Sequence, residues 1–208
     1  MAGNGVYTTK DWGDRLTLEE VDENGEPSHI YRLDGKIKPS VTQVLRENGL
    51  VKVWKNDQWY AERGKNVHKA ISLICSGKLD YNTIGDVERP YIDAFLAFQR
   101  DEDYIPAYWE HKIYSPLYDI AGQFDSFGYS WKRGVMVKID WKTSADIPKW
   151  VALQLAAYYE LSQLSGERWA VQLKPDGTYK ITTFRDYQDF DRVRAEFIHY
   201  RNLQIYGA

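Results

Sequence analysis

The sequence predicts an α/β fold in which helices pack on a central mixed sheet. Three observations carry this. Stretches with helical apolar spacing and stretches with a period of two follow one another as helix, three strands, helix, two strands, helix. The three middle strands are joined by segments too short for a crossover, so they form an antiparallel meander. No repeat, low-complexity tract or linker-like stretch interrupts the chain, so its 208 residues read as one domain. Residues 1–37 form a hairpin embellishment and residues 38–208 the core.

The elements follow in order. "RLTLEEV" and "SHIYRLDGK" flank "DENGEP", whose Asn24-Gly25 pair signals a hairpin. In "KPSVTQVLRENGL", Ser40 and Gln43 make a capping-box pattern and Gly49 a stop, which predicts a short helix. "NDQWYAERGKNVHKAISLICSG" is a longer helix with Val67, Ala70, Ile71 and Ile74 as its apolar stripe, closed by Gly77. "GDVERPYIDAFLAFQRDEDY" is another, with Tyr91, Phe95 and Phe98 on one face.

The meander strands are "AYWEHKIYS", "DIAGQFDSFGYS" and "GVMVKIDWKTS". "IPKWVALQLAAYYELSQLSG" follows as a helix, with Asp146 as the expected N-cap, Pro148 in the first turn and Gly166 beyond the end. "ERWAVQLKPDGTYKITTF" is a strand pair around "KPDG". The last helix, "DYQDFDRVRAEFIHYRNL", carries Phe190, Val193 and Phe197.

Composition narrows the function classes. A net charge of −3 argues against a passive nucleic-acid coat and leaves room for a locally positive groove. Cys75 is the only cysteine, which excludes an intramolecular disulfide, a four-Cys iron–sulfur cluster and a Cys-ligated zinc finger. No run reaches membrane-spanning length and the N-terminus has no leader pattern, so no membrane partner is expected and a cytoplasmic location is. Aromatic residues make up 15% of the chain, with 8 Trp and 16 Tyr; some are core and some are candidate platforms for stacking bases.

The candidate chemistry centres on "VMVKIDWKTSAD". Asp140 and Lys142 share one face of a strand end, and Trp141 takes the other. Glu110 lies in the first meander strand and Asp125 in the second, where Asp125 can converge with Asp140. Convergent carboxylates repel unless a cation or proton joins them, and carboxylates are the ligands Mg²⁺ and Mn²⁺ accept. Lys142 can there orient water, take its proton if its own pKa is lowered, or stabilise a charged transition state. The backbone carbonyl of Trp141 is a further candidate ligand. His68 on the long helix would favour Mn²⁺. Gly64, one turn earlier, costs helix propensity and leaves room for close approach. Gln154 and Tyr158, at i and i+4, share a helix face and can contact phosphate or base. Thr143 and Ser144 can donate to phosphate or simply end the strand. Each acid alone is equally a solvated strand end. No phosphate loop, zinc-protease, serine-elbow or dinucleotide fingerprint is present.

In order and spacing, "RGKNVHKAI", "AGQFDSF", "VKIDWKTS" and "QLAAYYEL" resemble the motifs of PD-(D/E)xK nucleases of the RecB-like and Cas4-like type. "KPSVTQVLRENGLVKVW" resembles the leading helix of the branch that holds the mitochondrial genome maintenance exonuclease and phage-type exonucleases. The resemblance covers Lys38 to Leu161. It implies a restriction-endonuclease-like core and Mg²⁺- or Mn²⁺-dependent hydrolysis of DNA, as an exonuclease preferring single-stranded ends in repair or recombination, in a bacterial or phage-infected cell. It implies His68, Asp125, Asp140 and the Trp141 carbonyl as metal ligands, with Glu110 as an auxiliary acid and Lys142 as the catalytic lysine. It places Gln154 and Tyr158 at the motif of the following helix, and Ser40 and Thr42 on the DNA backbone. The missing cysteines point to the branch without an iron–sulfur cluster. A DNA endonuclease, and an inactive DNA-binding or recombination-accessory protein of the same fold, remain open.

Overall fold

The computed structural model describes residues 10–23, 26–51 and 58–207. Strands β1 (Leu16–Glu23), β2 (Glu26–Leu33) and β3 (Lys36–Lys38) form a small antiparallel sheet. The register runs from Leu16↔Leu33 to Glu23↔Glu26, which is the pairing an Asn-Gly turn sets. Asn24 and Gly25 themselves lie outside the described residues. Trp12, Leu16 and Tyr31 pack on Tyr114 and Ala121, so this sheet is docked on the larger one.

Helix α1 (Val41–Glu47) starts at Ser40, whose Oγ accepts the Gln43 N–H at 3.0 Å. Only half of the expected capping box forms, because the Gln43 amide turns to Glu47 instead, at 2.8 Å. Helix α2 (Gln58–Cys75) buries Val67 and Ile71, and closes where Lys78 N–H reaches the Leu73 carbonyl at 2.8 Å with Gly77 at φ +67°. The predicted start of this helix, Asn56-Asp57, lies outside the described residues. Helix α3 (Arg89–Asp101) buries Tyr91, Phe95 and Phe98, the face its spacing predicts.

The main sheet has the order β4 (Tyr104–Ser115), β5 (Ile120–Ser130), β6 (Val135–Lys142), β7 (Glu167–Leu173), β8 (Tyr179–Phe184). The first three strands are the expected antiparallel meander. β6 and β7 run parallel, joined by α4 (Val151–Ser162), and β7–β8 is antiparallel. Helix α5 (Gln188–Tyr206) closes the described chain and buries Val193 and Phe197. Among the described residues, no helix is long and apolar enough to cross a membrane.

The start of α4 corrects one expectation. Its N-cap is Trp150 and not Asp146, and no side chain caps it. Pro148 disfavours helical geometry at Ile147, so the first helical bond waits for Val151 N–H to the Pro148 carbonyl, at 3.1 Å.

Both faces of the sheet carry a core. Val137, Ile139 and Trp141 of β6 pack with Phe95, Phe98 and Trp169 under α2 and α3. Phe124, Phe127 and Ile113 pack under α1, α4 and α5. Trp141 is 1% exposed and meets Phe95 and Phe98 edge-on at 5.2 and 5.3 Å. Burying rings of this size stabilises by roughly 1.5–3 kcal/mol each, which anchors the end of β6.

Candidate active site

The site forms where β5 and β6 part. Their ladder runs from Ser130↔Val135 to Ser126↔Ile139. One step further, the Asp125 carboxylate enters the gap and accepts the Trp141 N–H at 2.7 Å. A side chain thus replaces a carbonyl as the partner of a strand N–H. Opposite Asp125, Glu110 of β4 sits at φ +45°, a left-handed conformation uncommon for a residue other than glycine. Such strain is held by surrounding contacts, and here Gln123 Nε2 donates to Glu110 Oε2 at 2.5 Å.

α2 brings His68 to this gap from the other side. Its Nδ1 lies 3.6 Å from Glu110 Oε1 and 3.7 Å from Asp125 Oδ2. Its Nε2 lies 3.1 Å from the Trp141 carbonyl, so a proton on Nε2 donates there and Nδ1 faces the carboxylates. Burial disfavours a charged imidazole, but Asp125 and Glu110 outweigh it and hold the His68 pKa at about 9. One ligand atom each from His68, Glu110 and Asp125 fit within 4.8 Å of one another. Glu110, an auxiliary acid by sequence, is therefore as central as Asp125.

Asp140 and Lys142 stand beside this cluster. Lys142 Nζ is 2.7 Å from Asp140 Oδ2. The two form a tight, largely buried ion pair. Burial, together with Asp125, raises the Asp140 pKa to about 6 against the pull of Lys142. Burial works against the Lys142 charge, yet Asp140 and Asp125 raise its pKa, which keeps it an ammonium. That direction favours charge stabilisation and water positioning among the roles open to Lys142.

A divalent cation fits these residues. The donor set is one imidazole nitrogen and carboxylate oxygens, the acids are held closer than their charges favour, and Asp140 adds a buried carboxylate beside them. The Trp141 carbonyl already receives His68, which makes it a support for the imidazole as well as a candidate ligand.

The centre opens into a cleft of about 1120 Å³. Ser40, Thr42, Gln154 and Tyr158 all line it. Ser40 Oγ is already engaged as the cap of α1. Gln154 Nε2 donates to Tyr158 OH at 3.0 Å, so the group this amide leaves without a partner among the described residues is its acceptor, Oε1. Burial and the nearby acids push the Tyr158 phenol well above its ordinary range, so it stays protonated. Gly122 lets the Tyr158 ring pack closely; a Cβ there would lie 3.1 Å from Cε1. Thr143 is not among the cleft-lining residues; its carbonyl accepts from Arg63 Nη2 at 2.9 Å. Ser144 is also outside the lining, with its carbonyl accepting from Gln172 Nε2 at 2.7 Å.

Sequence reasoning missed Gln123, Arg63 and the cleft cations Arg46, Lys65 and Lys69. Gln123 had a signal, since it precedes Asp125 by two on a strand and so shares its side. The N-terminal sheet also contributes Tyr31 and Ile37 to the cleft wall, a role the hairpin pattern does not encode.

No family model matches the chain, and no curated protein matches it at a significant level. Among solved structures, a protein named "Putative exonuclease" from Eubacterium rectale is similar, with a TM-score of 0.47 and 12% identity over 84% of this chain and 77% of that one. A second, SSO0001, gives a TM-score of 0.31 and 15% identity over 77% of this chain and 84% of that one. The site rests on the geometry above and not on these likenesses.

Proposed function

We propose that this chain is a metal-dependent deoxyribonuclease of the PD-(D/E)xK kind, an exonuclease acting on single-stranded DNA ends. One observation carries the reading. Residues far apart in sequence, His68, Glu110 and Asp125, bring ligand atoms within 4.8 Å beside the buried Asp140–Lys142 pair. A bound Mn²⁺ or Mg²⁺ would lower the pKa of a water and neutralise charge on the phosphate.

His68, Glu110, Asp125 and Asp140 would hold the cation. Gln123 fixes the Glu110 carboxylate, and the Trp141 carbonyl fixes the imidazole. Lys142, kept charged by Asp140, faces the phosphate oxygens and stabilises the charge that grows on them. Tyr158, kept protonated, and Gln154 offer a donor and an acceptor to the bound strand. The cleft supplies Arg46, Lys65 and Lys69 as phosphate partners, although the whole chain is weakly acidic.

The test is hydrolysis of end-labelled single-stranded, double-stranded and circular DNA with and without Mn²⁺. Metal-dependent shortening of the linear single strand is expected, and its loss in Asp140→Ala and Lys142→Ala. Absence of metal-dependent cleavage on every substrate overturns the reading, and cutting of the circle replaces exonuclease with endonuclease.

A further inference from the structure

We infer that Tyr60 is a stacking subsite for an unpaired base of the DNA strand, two helical turns from the candidate metal centre; this deepens the nuclease reading and rests on it. Among the described residues many large rings are core: Trp141, Trp169, Phe95 and Phe98 are 0–1% exposed. Tyr60 is 53% exposed and lines the cleft, and its neighbour Trp59 is 49% exposed. An exposed ring on the wall of a cleft that ends in metal-ligating residues is placed to meet a substrate.

The ring is held in place. Tyr60 and Trp59 meet edge-on at 5.0 Å, and the Arg63 guanidinium lies 5.1 Å from the centroid of each. Arg63 is 9% exposed, lies 4.7 Å over the Tyr91 ring, and donates to the Thr143 carbonyl at 2.9 Å. A base landing on Tyr60 therefore meets a surface ordered beforehand, which lowers the entropy cost of binding. The same guanidinium ties that surface to the residue that follows Lys142.

Helical spacing sets the path. Tyr60, Gly64 and His68 stand at i, i+4 and i+8 and line the same cleft. The span is about 12 Å at roughly 1.5 Å per residue. Gly64 has no side chain to block a strand passing from Tyr60 to His68, and among the described residues beyond its own helix only Thr143 Oγ1, at 3.6 Å, would meet a Cβ there. Lys65 and Lys69, one residue on from Gly64 and His68, are exposed and line the cleft too. The face thus pairs an aromatic and bare lane for bases with a cationic lane for phosphates. Every base has a π face, so such a subsite accepts any sequence but requires an unpaired base.

The test is fluorescence anisotropy of a labelled single-stranded oligonucleotide in EDTA, so that metal-dependent hydrolysis cannot run. Tyr60→Ala is expected to weaken binding about 10-fold, while Tyr60→Phe and Tyr60→Trp bind as the parent does. One abasic nucleotide is then walked along the oligonucleotide. At one position it should cost the parent about as much as Tyr60→Ala does, and cost Tyr60→Ala nothing more. Unchanged affinity in Tyr60→Ala, identical abasic profiles in both proteins, a loss shared by Tyr60→Phe, or no binding of the oligonucleotide by the parent overturns the subsite. Hydrolysis with Mn²⁺ is measured separately: an inactive parent removes the nuclease reading, while the anisotropy series still decides the subsite.

Discussion

Asp125 Oδ2 accepts the backbone N–H of Trp141 at 2.7 Å, so one carboxylate both closes the gap between β5 and β6 and faces His68. These two jobs separate in mutants. Asn at 125 keeps an oxygen for the N–H but loses the charge. Ala loses both and leaves a part-buried strand donor unpaired, which costs about 1–3 kcal/mol. Asp125→Asn is expected to unfold in denaturant close to the parent, and Asp125→Ala at clearly lower concentration. Neither should cleave DNA with Mn²⁺. Equal stability of the two variants would show that the Trp141 contact carries no weight.

Gly64 gives a case in which stability and activity should move in opposite directions. Alanine in its place gains about 0.5–1 kcal/mol of helix propensity. Among the described residues beyond its own helix, the new methyl would meet only Thr143 Oγ1, at an ordinary 3.6 Å. Gly64→Ala is therefore expected to melt about 1–4 °C higher. If the substrate passes over this residue, the methyl narrows its path, and cleavage should fall several-fold through a higher KM. A higher melting temperature with unchanged KM would place the strand elsewhere.

Much of this was legible in the sequence because the signals are local. The meander and the buried faces of α2 and α3 follow from period and turn residues, while the parallel pairing of β6 with β7 does not. Asp140, Trp141 and Lys142 were separable by the two-residue repeat of a strand. That same repeat hid Lys138. It shares the face of Asp140 and Lys142, yet lies fully buried under α4, donating to the Tyr158 carbonyl at 2.9 Å and Ser162 Oγ at 2.6 Å. Period tells which face a side chain takes, not how deeply the facing helix covers it. Glu110 was underrated for a related reason. Its place in the site depends on a positive φ and on Gln123, and neither shows in a pattern of apolar residues. Asp146 failed as a cap because the restriction Pro148 places on its neighbour outranks capping propensity.

Away from the cleft, Glu102 sets part of the acid stability. It is 1% exposed, and Arg133 reaches it with two hydrogen bonds, at 2.7 and 3.0 Å. Burial alone would raise its pKa, but Arg133, Lys132 and Ser130 lower it overall. A carboxylate with a depressed folded pKa binds fewer protons in the native state than in the unfolded state. Its contribution is therefore present above the ordinary glutamate value, near 4.3, and is lost as pH falls through the folded value. Glu102→Gln should cost about 1–3 kcal/mol at pH 7, and the cost should shrink as pH falls below the ordinary glutamate value toward pH 3. Urea unfolding at both pH values measures this; a pH-independent cost would assign the effect to packing alone.

Lys142 supports the fold and the proposed chemistry through the same contact, and metal can tell the two apart. Its Nζ lies 2.7 Å from the buried Asp140 Oδ2, so Lys142→Ala leaves a buried acid without its cation. Removing one partner of such a pair is destabilising, and the acid limits the loss by taking up a proton. The metal-free variant should therefore melt below the parent. A divalent ion that binds the folded state adds stability in proportion to the logarithm of its concentration over Kd. Held by His68, Glu110, Asp125 and Asp140, it would also replace the missing positive charge. Mn²⁺ is thus expected to raise the melting temperature of Lys142→Ala more than that of the parent, and to restore none of its cleavage. Calorimetric melting over a Mn²⁺ series, run beside the hydrolysis assay, reads both quantities. Equal shifts in the two proteins would mean that Lys142 does not hold the charge of Asp140. Restored cleavage would mean that the metal alone, without the lysine, carries the reaction.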